Sequence, residues 1–291
     1  MGAQKKINFY VLLLICFLFT VICCERSSGV GIRDDRDLFF WLRFENNDEM
    51  YEYLKAWEIR EPNNLDVYYH FSMYYHVKSI RTILHSEEEA KEITGTIYYT
   101  VENNKEDMLK AIEYIDRGLS LYPNRLDFHF DRIRFLIHMD EYLLAIDSFN
   151  SLIELSKKIN NKWIMFGNRK MGRKAFLNLF QSNYTMMLVD INYELLQDVK
   201  LLLENLYNNY PNSVYSHYNL AIYYKKINNY QEAFKYLLQA EKIDKNYIYV
   251  NIELGLHYFK IGNLQKANDY VEKVKRIGGG SYMSFFREYL D

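Results

Sequence analysis

Cysteine is scarce: it occurs three times, at Cys16, Cys23 and Cys24, all within the first 24 residues. The chain beyond them has no disulfide framework and no thiolate metal site. A stretch of about 265 residues can bury enough surface to fold without such staples. Charge imbalance is absent too. The formal net charge is −2, so no global field points to nucleic acid. HExxH, GxxxxGK and GxSxG are all missing, which removes the commonest metalloprotease, nucleotide and hydrolase signatures. Tyrosine is abundant at 28, but a low-GC genome produces that bias by itself, so the count carries little functional weight.

Proline is as rare as cysteine, and its three positions are not scattered. Pro62, Pro123 and Pro211 are each followed by asparagine, in "EPNNLDVYYHF", "YPNRLDFHFDR" and "YPNSVYSHYN". Proline that recurs only at matched points marks joints, because it cannot continue a helix. Between the joints a period emerges. At an offset of 34 residues Leu220 falls on Leu254, Ala221 on Gly255, Tyr224 on Tyr258, Ala233 on Ala267 and Leu237 on Val271. The same offset links Ala111 to Ala145 and Pro211 to Lys245. Each unit reads as two helices. Leu220, Ala221 and Tyr224 form one apolar stripe; Ala233, Leu237 and Ala240 form the second. Asp140, Asn228 and Gly262 hold one repeat position between the helices. These residue types tolerate the left-handed backbone of a tight turn.

This pattern resembles the tetratricopeptide repeat (TPR) family, in its 34-residue period and in Leu220, Ala221, Tyr224, Ala233, Ala240 and the terminal prolines Pro123 and Pro211. The family's early tryptophan is replaced by Tyr68, His129, His217 or Asn251. "YPNRLDFHF" also resembles a phrase of uncharacterised bacterial envelope TPR proteins. The resemblance implies an all-α, right-handed solenoid of about five helix-pair units with a C-terminal capping helix. The phase places units at about 63–123, 124–157, 178–211, 212–245 and 246–279, and a cap at 281–290, within a repeat domain spanning 35–291. Pro62 and Pro123 lie 61 residues apart, so an insertion falls at about 80–105. "TGTIYYTV" within it has strand propensity, and strand is expected only there. A second insertion falls at about 158–177, and the 178–211 unit is degenerate.

The N-terminus reads as a targeting segment over 1–28. Lys5 and Lys6 precede an uncharged run from Ile7 to Cys24, about 27 Å long as a helix. Cleavage near Ser27–Gly29, retention as a signal anchor, and lipidation at Cys24 after the lipobox-like Val21-Ile22-Cys23 all compete. Each leaves the rest of the chain outside the cytoplasm, in a bacterial cell envelope.

In the resembled family the first helix of each unit lines a concave groove. The matching positions here are Tyr69, His70, Phe130, Asp131, Arg134, Tyr215, Tyr218, Asn219, Ile222, Tyr249, Ile252 and Glu253. Their mixture of aromatic, polar and charged groups suits a recognition surface; packing against the next unit is the bland alternative for each. The family's chaperone-binding branch clamps a terminal carboxylate with basic residues. Tyr249 and Glu253 stand where those bases belong, and Glu253 repels a carboxylate. His70, His129 and His217 repeat near one phase, which favours packing over metal ligation.

No acidic residue lies between Glu154 and Asp190. The interval holds Lys157, Lys158, Lys162, Arg169, Lys170, Arg173 and Lys174, with Trp163 and Phe166 interleaved. An anionic lipid surface or acidic partner fits an exported chain better than nucleic acid does, and a solvated insertion with Trp163 in the core is the bland reading.

The expectation is an exported, membrane-tethered scaffold binding a protein or peptide in its groove, without catalysis, cofactor or metal. One alternative is an enzyme or accessory subunit with a site formed by the two insertions. The other is an envelope lipoprotein docking onto a membrane assembly complex. Neither partner identity nor oligomeric state is legible.

Overall fold

The computed structural model describes residues 47–84, 99–165, 168–278 and 280–290. The leader, Cys24 included, lies outside them. Contacts divide the chain into two compact units, one ending at Leu121 and one beginning at Tyr122.

The first unit contains α1 (Asn47–Arg60), α2 (Leu65–Ser79), β1 (Ile80–Leu84), β2 (Tyr99–Asn103) and α3 (Lys105–Leu121). Pro62 sits between α1 and α2, as a residue that ends a helix should. Asn64 restarts the chain by accepting the Asp66 N–H at 3.0 Å, and Asn104 does the same for α3 through the Glu106 N–H. Side-chain acceptors of this kind satisfy amides that a helix start leaves unpaired. α2 and α3 pack closely. Phe71 stacks on Tyr114 with ring centroids 4.3 Å apart, and Met108, Ala111 and Ile115 are buried. The 80–105 insertion interrupts this pair with an antiparallel ladder running from Ile80↔Asn103 to Leu84↔Tyr99.

In chain order the second unit holds four helix pairs: α4 (Leu126–His138) and α5 (Tyr142–Lys158), α6 (Arg173–Asp190) and α7 (Leu196–Asn209), α8 (Val214–Lys226) and α9 (Tyr230–Ile243), and α10 (Ile248–Lys260) and α11 (Leu264–Gly278). The members of three pairs pack closely on each other, whereas α6 and α7 pack mainly on the neighbouring pairs. Successive first helices touch, α4 to α6 and α6 to α8, while α5 meets α7 and α9 meets α10. Contact only with near neighbours in the chain is what makes a repeat array. The fold is an all-α solenoid of the tetratricopeptide kind.

Three of the four pairs turn in the same way. Asp140, Asn228 and Gly262 have φ of 62°, 62° and 74°. After each, the next N–H reaches back to close the helix: Glu141 to the Leu136 carbonyl at 2.9 Å, Asn229 to Tyr224 at 2.8 Å and Asn263 to Tyr258 at 3.0 Å. This is the six-to-one closure of a Schellman motif, and it requires the left-handed residue that the sequence supplies. The α6–α7 pair departs from it. Ile191 is extended, and Asn192 caps a short 3₁₀ turn, Tyr193–Leu195.

The joints carry a second recurrent bond. Six residues past each joint, a side chain reaches back to a carbonyl there. Tyr68 donates to Pro62. His129 Nε2–H donates to Pro123 at 2.8 Å, and Asn251 Nδ2 to Lys245 at 3.0 Å. His217 Nδ1–H takes Ser213 instead, at 3.0 Å. These four occupy the position of the missing tryptophan. Tyr68, His129 and Asn251 thereby tie the joint, whereas His217 bonds the residue that opens its own helix.

Three expectations are corrected. α6 begins at Arg173, so residues 173–177 belong to a helix and not to the second insertion. Phe176, Leu177 and Phe180 are buried, and this stripe extends the helix back to Gly172. Strand is also not confined to 80–105. β3 (Trp163–Met165) pairs antiparallel with β4 (Arg169–Met171), and the Ile164 N–H donates to the Asn124 carbonyl at 3.0 Å. The cap is mostly a 3₁₀ segment, Gly280–Phe286, with only α12 (Arg287–Leu290) as α-helix. Its Phe286 is buried against Ile252, Val271 and Val274.

Candidate functional site: the first-helix faces

In the first unit Tyr69 and His70 are half-buried on α2. The Trp57 ring lies 5.8 Å from that of His70, so α1 already covers part of this face.

In the second unit α4 presents a charged stripe. Asp131 and Arg134 form an ion pair at 2.6 Å. Burial pushes the Asp131 carboxyl up to about 6, against the opposing pull of Arg134. One turn on, burial and the same guanidinium drive His138 down to about 4. Behind them Arg125, a residue that sequence reasoning passed over, is buried and grips Asp127 with two bonds, 2.8 and 2.7 Å. Phe130 is not a groove residue. It packs on Phe149 and Phe176, because its side of α4 faces α5 and α6.

The larger cluster spans α6, α8 and the start of α10. Tyr247 donates to Gln181 Oε1 on α6. Its ring sits 5.4 Å from Tyr215 and 5.7 Å from Tyr218, and Tyr218 and Tyr249 are 6.2 Å apart. Tyr249 is the exposed member, at 39%; Ile222 is half-buried. Burial raises Tyr215 and Tyr247, and raises Tyr218 far above the usual phenol range. These hydroxyls therefore stay protonated across the physiological range, as neutral donors and acceptors. Asn219 lies fully buried on α8, and its side-chain amide has no hydrogen-bond partner among the described residues.

Glu253 is paired: Lys225 on α8 donates to it at 2.6 Å, which weakens the repulsion of an anion expected of the carboxylate alone. Ile252 is buried in the core with Phe286 and is withdrawn from the groove set. Gln181 and Tyr247 were missed. Gln181 belongs to the degenerate unit, where no period marked it, and Tyr247 precedes its helix.

Of the basic set, Lys158, Lys162, Arg169, Lys170, Arg173 and Lys174 are exposed. Trp163 is 1% exposed and stacks on Phe176 at 5.9 Å. Among the described residues no group of three or more His, Cys, Asp or Glu could hold a metal ion, and no helix is long and apolar enough to cross a membrane.

No family model matches the chain, and no curated protein does. Solved structures similar to it include TTC0263, a thermophilic TPR protein of Thermus thermophilus. It is 13% identical, with 64% of this chain and 90% of that one covered and a TM-score of 0.43. PilF of Pseudomonas aeruginosa is 13% identical over 87% and 97%, with a TM-score of 0.41. MamA of Desulfovibrio magneticus RS-1, from residue 41 onward, is 15% identical over 61% and 89%, with a TM-score of 0.38.

Proposed function

We propose that this chain is an interaction scaffold whose second unit holds an extended segment of a partner protein against the α8 and α10 faces. The carrying observation is the tyrosine cluster of Tyr215, Tyr218, Tyr247 and Tyr249, which spans successive first helices beside the Lys225–Glu253 pair. Aromatic faces with neutral hydroxyls suit a peptide backbone, and large rigid rings commonly supply the anchors of such interfaces. No catalytic step belongs to this reading. The leader reading completes it: export through residues 1–28 would present the array at a cell envelope, tethered by an anchor or by acylation at Cys24.

A photo-crosslinking residue replacing Tyr249 in the full chain, expressed in its own cells, should capture one discrete partner. The same probe at Leu143, exposed on α5, should not. Equal capture at both positions, or none at Tyr249, rejects the groove. Location is tested separately by protease on spheroplasts, which should digest the repeat domain. Cys24→Ser should abolish acyl labelling if the chain is a lipoprotein and change nothing if the leader is an anchor.

A further inference from the structure

We infer that the β3–β4 hairpin and the start of α6 form an electrostatic docking surface for an anionic lipid bilayer, independent of whatever occupies the tyrosine face. Elsewhere on the molecule lysines are commonly paired: Lys110 with Glu106, Lys225 with Glu253, Lys235 with Glu232 and Lys273 with Glu241. Here the pattern fails. Lys158, Lys162, Lys170, Arg173 and Lys174 are exposed, and none has a carboxylate partner among the described residues. Unpaired like charges on an exposed surface favour a counter-charged partner.

The local backbone adds to the field. Arg173 and Lys174 open an 18-residue helix with no acidic residue in its first turn and no side-chain cap at Gly172. That is the positive end of the helix, where anions and not cations are stabilising. The platform is also held in place. Trp163 anchors β3 between Phe176 and His129, and Tyr210 bonds Asn161 at the hairpin's base, 3.2 Å away. Across the hairpin the half-buried Ile164 pairs with the exposed Lys170, and the half-buried Met165 with the exposed Arg169.

Two observations select lipid over other polyanions. Single-stranded nucleic acid gains much of its affinity from bases stacked on exposed aromatics, and Trp163, the aromatic among the described residues of the hairpin, is spent in the core. An acidic protein site would pair fixed carboxylates with forked arginines, whereas four of these five unpaired groups are flexible lysines and point charges. A diffuse sheet of headgroups suits them, each contributing several-fold in affinity. The uncharged run from Ile7 to Cys24 gives the chain a second membrane signal, and two weak signals together make stable attachment.

The test follows amide hydrogen exchange over 159–174 in the full chain, reconstituted in phosphatidylcholine vesicles or in vesicles also carrying phosphatidylglycerol. Slowed exchange is expected only with phosphatidylglycerol, reversed by about 0.5 M salt. The exposed triple variant Lys162→Glu, Lys170→Glu, Lys174→Glu should melt no lower than wild type, because it relieves like charge and places an acid in the first turn of α6. Its midpoint phosphatidylglycerol requirement should rise by about a hundredfold. Equal exchange in the two vesicles overturns the proposal. So does stronger protection in detergent by inorganic phosphate, polyglutamate or an oligonucleotide than by phosphatidylglycerol vesicles, each of which would reassign the surface to that ligand.

Discussion

Asp131 and His138 sit two turns apart on α4 and pull stability in opposite directions as pH changes. Asp131 titrates near 6 when folded against 3.8 for the free group, so the folded state binds its proton first. Its contribution grows as pH falls from about 6 to about 4. His138 titrates near 4 folded against 6.5 free, so its contribution is lost over nearly the same window. Wild type hides both. Asp131→Asn keeps an acceptor for Arg134 and removes one titration. Relative to this variant, wild type should gain up to about 3 kcal/mol as pH falls from 7 to 4, measured by urea unfolding at each pH. A pH-independent difference would place the carboxylate in solvent, against a side chain that is 14% exposed. The sequence foretold residue type better than residue burial. Asp140, Asn228 and Gly262 were recognisable because only certain residues accept positive φ. Phe130 and Ile252 were misplaced because a 34-residue period assigns a helix face without saying which neighbour covers it.

At the scale of the element, the helix pairs depend on small residues where they meet. Ala221 and Ala233 are both buried between α8 and α9, and Ala267 is buried on α11 beside α10. A Cβ at Gly255 would lie 2.9 Å from the Phe286 ring and 3.2 Å from Tyr270 Cβ. Ala233→Leu should therefore cost about 1–3 kcal/mol through overpacking, seen as a lower urea midpoint with the helical dichroism retained. An unchanged midpoint would mean that α8 and α9 do not meet there. The pairs were legible because proline, asparagine and glycine stop and start them by local chemistry. The second hairpin was not. β3 and β4 are three residues each, too short for a period-two pattern, and their seat depends on Trp163 finding Phe176 across the fold.

For the molecule as a whole, stability in the second unit should be divided among neighbouring pairs. Phe286→Ala removes a fully buried ring from the cluster of Ile252, Val271 and Val274 and should cost about 3–5 kcal/mol. Amide exchange should rise across 248–278 while α4 and α5 keep their protection. Uniform acceleration instead would show one cooperative block. The solenoid class could be read from the period. The proposed binding face was only half legible, because Gln181 lies in the degenerate unit and Lys225 comes from another stretch of chain than the Glu253 it pairs with.

The reach-back bond at each joint has a mechanical consequence. Tyr68, His129 and Asn251 each tie the first helix of a pair to the stretch of chain that enters it. Tension applied along the chain meets that tie before it meets the packed helices behind it. Each such joint is thus a latch, and pairs drawn from the end should come away singly, in a series of small steps. The α8 joint has no such tie, because His217 bonds Ser213, the residue that caps its own helix. When the pull reaches that pair, it should come away at a lower force than its neighbours.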